Sequence, residues 1–94
     1  MNEYKMKEDC LKALNNAIHK RKCHNCSPAI LANAKALERA AEIVSNASSL
    51  KVAAAKIREE INARAGSQSS TTLAEIQGFN YAETAVKYVL GEPQ

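Results

Sequence analysis

The sequence predicts an all-α fold, a small antiparallel bundle of four helices, or five if the last is broken at Gly78. Three observations carry that prediction. Apolar residues recur every three or four positions through most of the chain, as amphipathic helices require. Only three glycines and two prolines occur among the 94 residues, and all but Gly78 fall at the ends of apolar-periodic segments. No segment reads as a strand.

Helix 1 is expected over residues 2–19, with Cys10, Leu11, Leu14, Ala17 and Ile18 inward and Met6 one turn earlier. Glu8 and Lys12 are placed for an i,i+4 pair on the opposite side. Lys20, Arg21 and Lys22 follow, and cations there complement the negative end of the helix dipole. Residues 20–27 make a basic turn containing cysteine and histidine. Ser27-Pro28 then starts helix 2 (residues 28–45), with a hydroxyl at the N-cap and a proline where no N–H is needed. Helix 2 carries two apolar stripes, Ile30, Ala34, Leu37, Ala41, Val44 and Ala29, Ala32, Ala36, Ala40, Ile43, the pattern of a central helix. The polar cluster Ser45–Ser49 turns the chain. Helix 3 (residues 49–65) places Leu50, Ala54, Ile57 and Ile61 inward, with Glu60 and Arg64 as an outward pair, and stops at Gly66. So short a turn makes helices 2 and 3 a central hairpin.

After the polar loop 66–71, Thr72 and Glu75 suggest a capping box opening helix 4 (residues 72–90). Leu73, Ile76, Phe79, Val86, Val89 and Leu90 form its inward face, and Gly91 ends it. Gly78 admits two readings. The helix breaks there, with Asn80 capping a new helix and Glu83 three residues on, or it continues and the glycine permits a close approach. The break is the preferred reading.

The length suits one domain spanning residues 1–94. The apolar fraction leans on alanine, and Tyr4, Phe79, Tyr81 and Tyr88 are the only aromatics. Alanine favours helix but buries little area, so the core is thin and invites completion by a second copy or a partner. Residues 1–26 carry six Lys/Arg against three Asp/Glu, residues 27–66 six against four, and residues 67–94 one against three. Attraction to polyanions therefore belongs to the first two-thirds. The charged start lacks the apolar region of a signal peptide, no run is long enough to span a membrane, and three cysteines are an odd number. A reducing cytoplasm is the expected location.

The stretch "HKRKCHNCSP", His19–Pro28, holds both histidines and two of the three cysteines. Cys23 and Cys26 have the C-x-x-C spacing of half a zinc site, which His24 or His19 would extend. A second pair is missing, and Cys10 lies thirteen residues back on an apolar face, so no metal and no cofactor are expected. Cys26 beside a helix N-terminus, with Lys22 near, favours thiolate, but the strand that precedes such a redox motif in an α/β fold is absent. Lys20, Arg21 and Lys22, with His19, make a basic tip suited to phosphates. Residues 71–90 have a helix–Gly–helix rhythm, yet the spacing from Gly78 to Val86 is long for a helix-turn-helix and Glu83 opposes phosphate. No catalytic motif is found, so the chain is not expected to be an enzyme.

Protein recognition remains. Tyr81 and Tyr88, seven residues apart, share one side of helix 4, and with Tyr4 and Lys87 they are the candidate contact residues. The expectation is a non-enzymatic helical protein that binds a larger protein or complex as an adaptor, chaperone or inhibitor, with homo-oligomerisation as an added option. The alternative is nucleic-acid binding through Lys20, Arg21 and Lys22.

Overall fold

The computed structural model describes residues 3–22 and 27–91, and the regular structure in them is helical: α1 (Glu3–Lys22), α2 (Pro28–Asn46), α3 (Leu50–Arg64) and α4 (Ser70–Leu90). The serines before α2, α3 and α4 act as N-caps. Ser27 Oγ accepts from Ile30 N at 3.2 Å, Ser49 Oγ from Val52 N at 3.2 Å, and Ser69 Oγ from Thr72 N at 3.4 Å. The last of these corrects the expected capping box. Ser69 caps α4 three residues before Thr72, and Glu75 turns instead to Arg64. Gly91 adopts the left-handed conformation, φ 78°, and its N–H reaches Tyr88 O at 3.1 Å. α1 continues three residues beyond the expected end, through Lys22, because Arg21 Nη1 donates to Ala17 O and holds the last turn closed.

α4 is continuous through Gly78, which overturns the expected break. The reason is steric. A Cβ built on Gly78 would lie 2.8 Å from Asn33 O and 2.9 Å from Ala36 Cβ. Glycine is there to let the backbones of α2 and α4 approach, and these two helices share the most extensive contact in the molecule, ahead of α3 with α4 and α1 with α2. Asn33 ties the crossing with its side chain. Nδ2 donates to Ala74 O at 2.9 Å, and Oδ1 accepts from Arg21 Nε. Ala74, Gly78 and Ala82, one above another at four-residue spacing, are all buried on α4.

Around this crossing the core gathers Cys10 and Leu14 from α1, Leu37, Ala40 and Val44 from α2, Leu50 and Ile57 from α3, and Phe79 and Val86 from α4. Two apolar residues expected inward are exposed, Ile30 and Leu73. Leu73 is turned out because its neighbour Ala74 occupies the face against α2. The first turn of α1 closes the far end. Glu3 Oε1 accepts from Leu50 N at the start of α3, and Lys7 Nζ donates to Ala47 O at the end of α2. Each charge has the sign that the adjoining helix end favours.

Ion pairs fasten α3 to its neighbours. Arg39 Nη1 meets Glu42 Oε1 at 2.9 Å and its Nε meets Glu60 Oε2 at 3.4 Å. Glu60 Oε1 accepts from Arg64 Nη1 at 2.8 Å, and Arg64 Nε donates to Glu75 Oε1 at 3.0 Å. The pair Glu60/Arg64, expected to be an outward support, is the middle of a chain from α2 to α4. Arg64 also lies over the Phe79 ring, 4.8 Å from its centroid. The hydrogen bond from Arg64, with Arg39 behind it, holds the Glu60 carboxyl below the usual carboxylate range, and Glu60 and Glu75 raise Arg64 in turn.

Two expectations follow. Gly78→Ala gains roughly 1 kcal/mol in helix propensity, but forces a methyl against a backbone carbonyl, at a cost toward the upper end of the ~1–3 kcal/mol of overpacking. A lower thermal midpoint, by several degrees, is expected in a melt followed by circular dichroism. A raised midpoint would mean that the crossing is loose. For Glu60 the folded carboxyl titrates below its unfolded value of about 4.3, so its contribution is present above that pH and is lost as pH falls through the folded value. Glu60→Gln should cost up to ~1 kcal/mol near neutrality and flatten the acid limb of stability measured by urea titration between about pH 5 and 3.

Candidate protein-contact site

α4 is polar in an unusual way. Its exposed positions are Leu73, Gln77, Asn80, Tyr81, Thr84 and Tyr88 along its middle, and none is charged. At 100° per residue all six fall within an arc of about 100°. The helix does contain carboxylates, but they face α3. Glu83 is only 7% exposed and is gripped by Arg58, whose Nε donates to Oε2 at 3.0 Å while Nη2 reaches Oε1. Glu75 is bound to Arg64. The exposed faces of the other helices carry charge throughout: Lys5, Glu8, Lys12 and Lys20 on α1, Lys35, Glu38 and Glu42 on α2, Lys51, Lys56 and Glu59 on α3.

Two tyrosines dominate this uncharged stripe. Tyr81 is 46% and Tyr88 76% exposed. They bracket a shallow cleft of about 270 Å³ between α1 and α4, lined otherwise by Ala13, Thr84, Ala85 and Val89. Small side chains make the floor and aromatic rings the walls. Tyr81 is braced from behind. The Arg21 guanidinium lies 5.4 Å from its ring centroid, and Arg21 is itself fixed by Asn33 and by Ala17 O. A ring held this way loses little freedom on binding, the economy that makes tyrosine a common anchor.

Of the four sequence-predicted contact residues, Tyr81 and Tyr88 come together and the others stand apart. Tyr4 is 73% exposed but borders a different groove, with Lys7, Glu8, Leu11 and Ser45. It is nine residues, two and a half helical turns, from Ala13, and so on the opposite side of α1 from the cleft. Lys87 is half-buried and sits about 100° around α4 from Tyr88. The basic run is divided among different tasks. Lys20 is exposed, Arg21 is engaged with Asn33 and Tyr81, and Lys22 forms an ion pair with Glu38.

Cys23, His24 and Cys26, the residues that any metal would take, lie outside the described residues. Among the described residues no three of His, Cys, Asp or Glu are grouped to hold a metal ion. Cys10 is fully buried among apolar neighbours, and burial pushes its thiol up to about 11. It is a packing residue that stays protonated at neutral pH. No helix among the described residues is long and apolar enough to cross a membrane.

Glu83, expected from the sequence to oppose phosphate, is buried instead. Its position, four residues after Phe79 and three before Val86, puts it on the buried face, and that spacing was the available signal. Nothing comparable marked Arg21, whose partner Asn33 is twelve residues on, in α2. Comparison with family models, with curated proteins and with solved structures gives no match to this chain.

The two neighbouring cations should behave differently. Arg21→Gln removes the links to Asn33, Ala17 and Tyr81 together and is expected to cost about 1–3 kcal/mol in a denaturant titration. Lys20→Gln should stay within about 0.5 kcal/mol of the parent. Equal effects would mean that Arg21 is surface charge like its neighbour.

Proposed function

We propose that this protein is a non-enzymatic helical module that binds a larger protein partner and modulates it, as an adaptor, chaperone or inhibitor does, from a cytoplasmic location. The outer face of α4 is its contact surface. One observation carries the proposal: an uncharged stripe in which Tyr81 and Tyr88 flank an open apolar cleft. Interface cores are depleted in charge and enriched in tyrosine, and α4 supplies that combination while its carboxylates are committed to α3. Lys87 belongs to the rim.

The expected antiparallel order, with α2 and α3 as a hairpin, is part of the same proposal. Arg39 meeting Glu60 across α2 and α3 supports it, as does the pairing of Arg58 with Glu83 while Arg64 pairs with Glu75. In the nucleic-acid alternative, Lys20, Arg21 and Lys22 would act as one patch. The engagement of Arg21 by Asn33 and Tyr81 weighs against it, since the three cations then do not act as one outward patch.

Capture from host lysate, with and without nuclease, tests the assignment. A discrete partner should survive nuclease and ~0.5 M salt, and should be lost with Tyr88→Ser but kept with Lys20→Gln/Lys22→Gln. Partners that vanish with nuclease and with the lysine changes, and ignore Tyr88→Ser, would reverse the choice.

A further inference from the structure

Two kinds of bond hold the bundle together, and they divide it. The links among α1, α2 and α4 use groups that do not titrate in acid. Asn33 Nδ2 donates to Ala74 O, Arg21 Nε to Asn33 Oδ1, and Lys7 Nζ to Ala47 O. Lys22 and Glu38 add an ion pair between α1 and α2, but an exposed one, of a kind that contributes little. α3 is fastened differently. Among the described residues, the side-chain hydrogen bonds and ion pairs between it and the other helices each run through a carboxylate. Glu3 of α1 accepts from Leu50 N, Arg39 of α2 meets Glu60, and on α4 Glu75 meets Arg64 and Glu83 meets Arg58. Its docking is also one-sided. α3, at fifteen residues the shortest of the four helices, lies mainly against α4 and has only slight contact with α2 and α1. From this division we infer that α3 is an acid-released latch: protonating its carboxylate links lets residues 48–69 come away from a bundle of α1, α2 and α4 that stays folded.

Each protonation acts in the same direction. A neutral carboxyl can still accept a hydrogen bond, but it leaves the guanidinium without a counter-charge. α3 carries Lys51, Lys56, Arg58 and Arg64 against Glu59 and Glu60 alone, so in acid it holds four unbalanced positive charges. Arg39 faces them from α2, with Lys56 and Glu59 beside the same groove. Half-buried Lys87, one turn beyond Glu83 on α4, adds to the repulsion. Glu3 is the acid that reaches α3 from α1, while Lys7 is bound to Ala47. The Arg64 stack on Phe79 does not titrate and remains, but that guanidinium loses both its counter-ions, Glu60 and Glu75. The Glu60 carboxyl, held low by Arg64 and Arg39, stabilises the fold above its unfolded value of about 4.3, and its share is lost as pH falls through the folded value. The tyrosine cleft lies on the part that stays, since α1 and α4 build it and Arg21 braces Tyr81. The latch therefore stands or falls apart from the proposed contact surface.

Amide hydrogen exchange of the full chain in excess reductant, read helix by helix at neutral pH and at about pH 3.5, tests the latch once intrinsic rates are divided out. At neutral pH the slowest amides of α2, α3 and α4 should agree within about tenfold, as one cooperative unit does. In acid those of α3 should fall at least about tenfold below those of α2 and α4, the mark of opening short of global unfolding. Glu60→Gln/Glu75→Gln/Glu83→Gln should open the same gap at neutral pH, whereas Glu38→Gln, on the pair between α1 and α2, should not. If the triple variant does not fold, the wild type at the two pH values decides alone. Protection lost from all four helices together, or from α1 first, overturns the latch. So does an α3 whose protection relative to α2 and α4 is indifferent to pH, or a folded triple variant that keeps α3 as protected as α2.

Discussion

Where Gly78 lies against Asn33 and Ala36, the α4 backbone meets a carbonyl and a methyl group of α2 with no side chain of its own between them, and the other helices are arranged around that contact. Close approach brings the Asn33 amide within reach of a backbone carbonyl on α4, and its oxygen then receives Arg21 from α1. One asparagine thus joins three helices. The shallow, alanine-lined interface gains little from each buried side chain, so its stability depends on the number of small contacts that a near-zero gap allows. A single added methyl is felt there because no neighbouring atom is the loose end of a long side chain.

The same crossing governs where α4 turns its charges. With Ala74, Gly78 and Ala82 against α2, Glu75 and Glu83 are carried toward α3, where Arg64 and Arg58 receive them. What is left outward is neutral. The surface proposed for recognition is therefore a by-product of the packing: a helix whose small residues, acids and tyrosines occupy three different arcs. Arg21 links the arcs, since it is held by Asn33 at the crossing and lies over Tyr81 at the surface.

Much of this could be read from the sequence. Among the described residues four helices are seen, with ends close to those expected, because serine caps, Pro28 and Gly91 act over a few residues and leave local marks. Leu14, Leu37, Ile57 and Phe79 are in the core as their spacing requires. The misreadings share a cause. The sequence pattern favours a break at Gly78 and an inward Leu73 because α4 is apolar-patterned weakly, and its true inner face is marked by small residues rather than large ones. Which arc of such a helix turns inward is decided by its neighbour, and α2 is more than thirty residues away in the chain. The contact pair Tyr81 and Tyr88 was readable, being a matter of one helix's period. The separation of Tyr4 from that pair, and the capture of Arg21, were not, since both depend on how α1 is rotated in the bundle.

The clasp made by Glu3 and Lys7 bears on how the chain assembles as it is made. Glu3 and Lys7 are made before their partners, since Leu50 and Ala47 follow them by 47 and 40 residues. α1 has to wait through the synthesis of α2 and the turn beyond it before its first turn can be fixed, and its other end waits for α4 to supply the ring of Tyr81. Until the last helix emerges, the amphipathic face of α1 has no complete surface to settle on. Both ends of α1 are thus fastened by long-range contacts, one to the start of α3 and the other to α4.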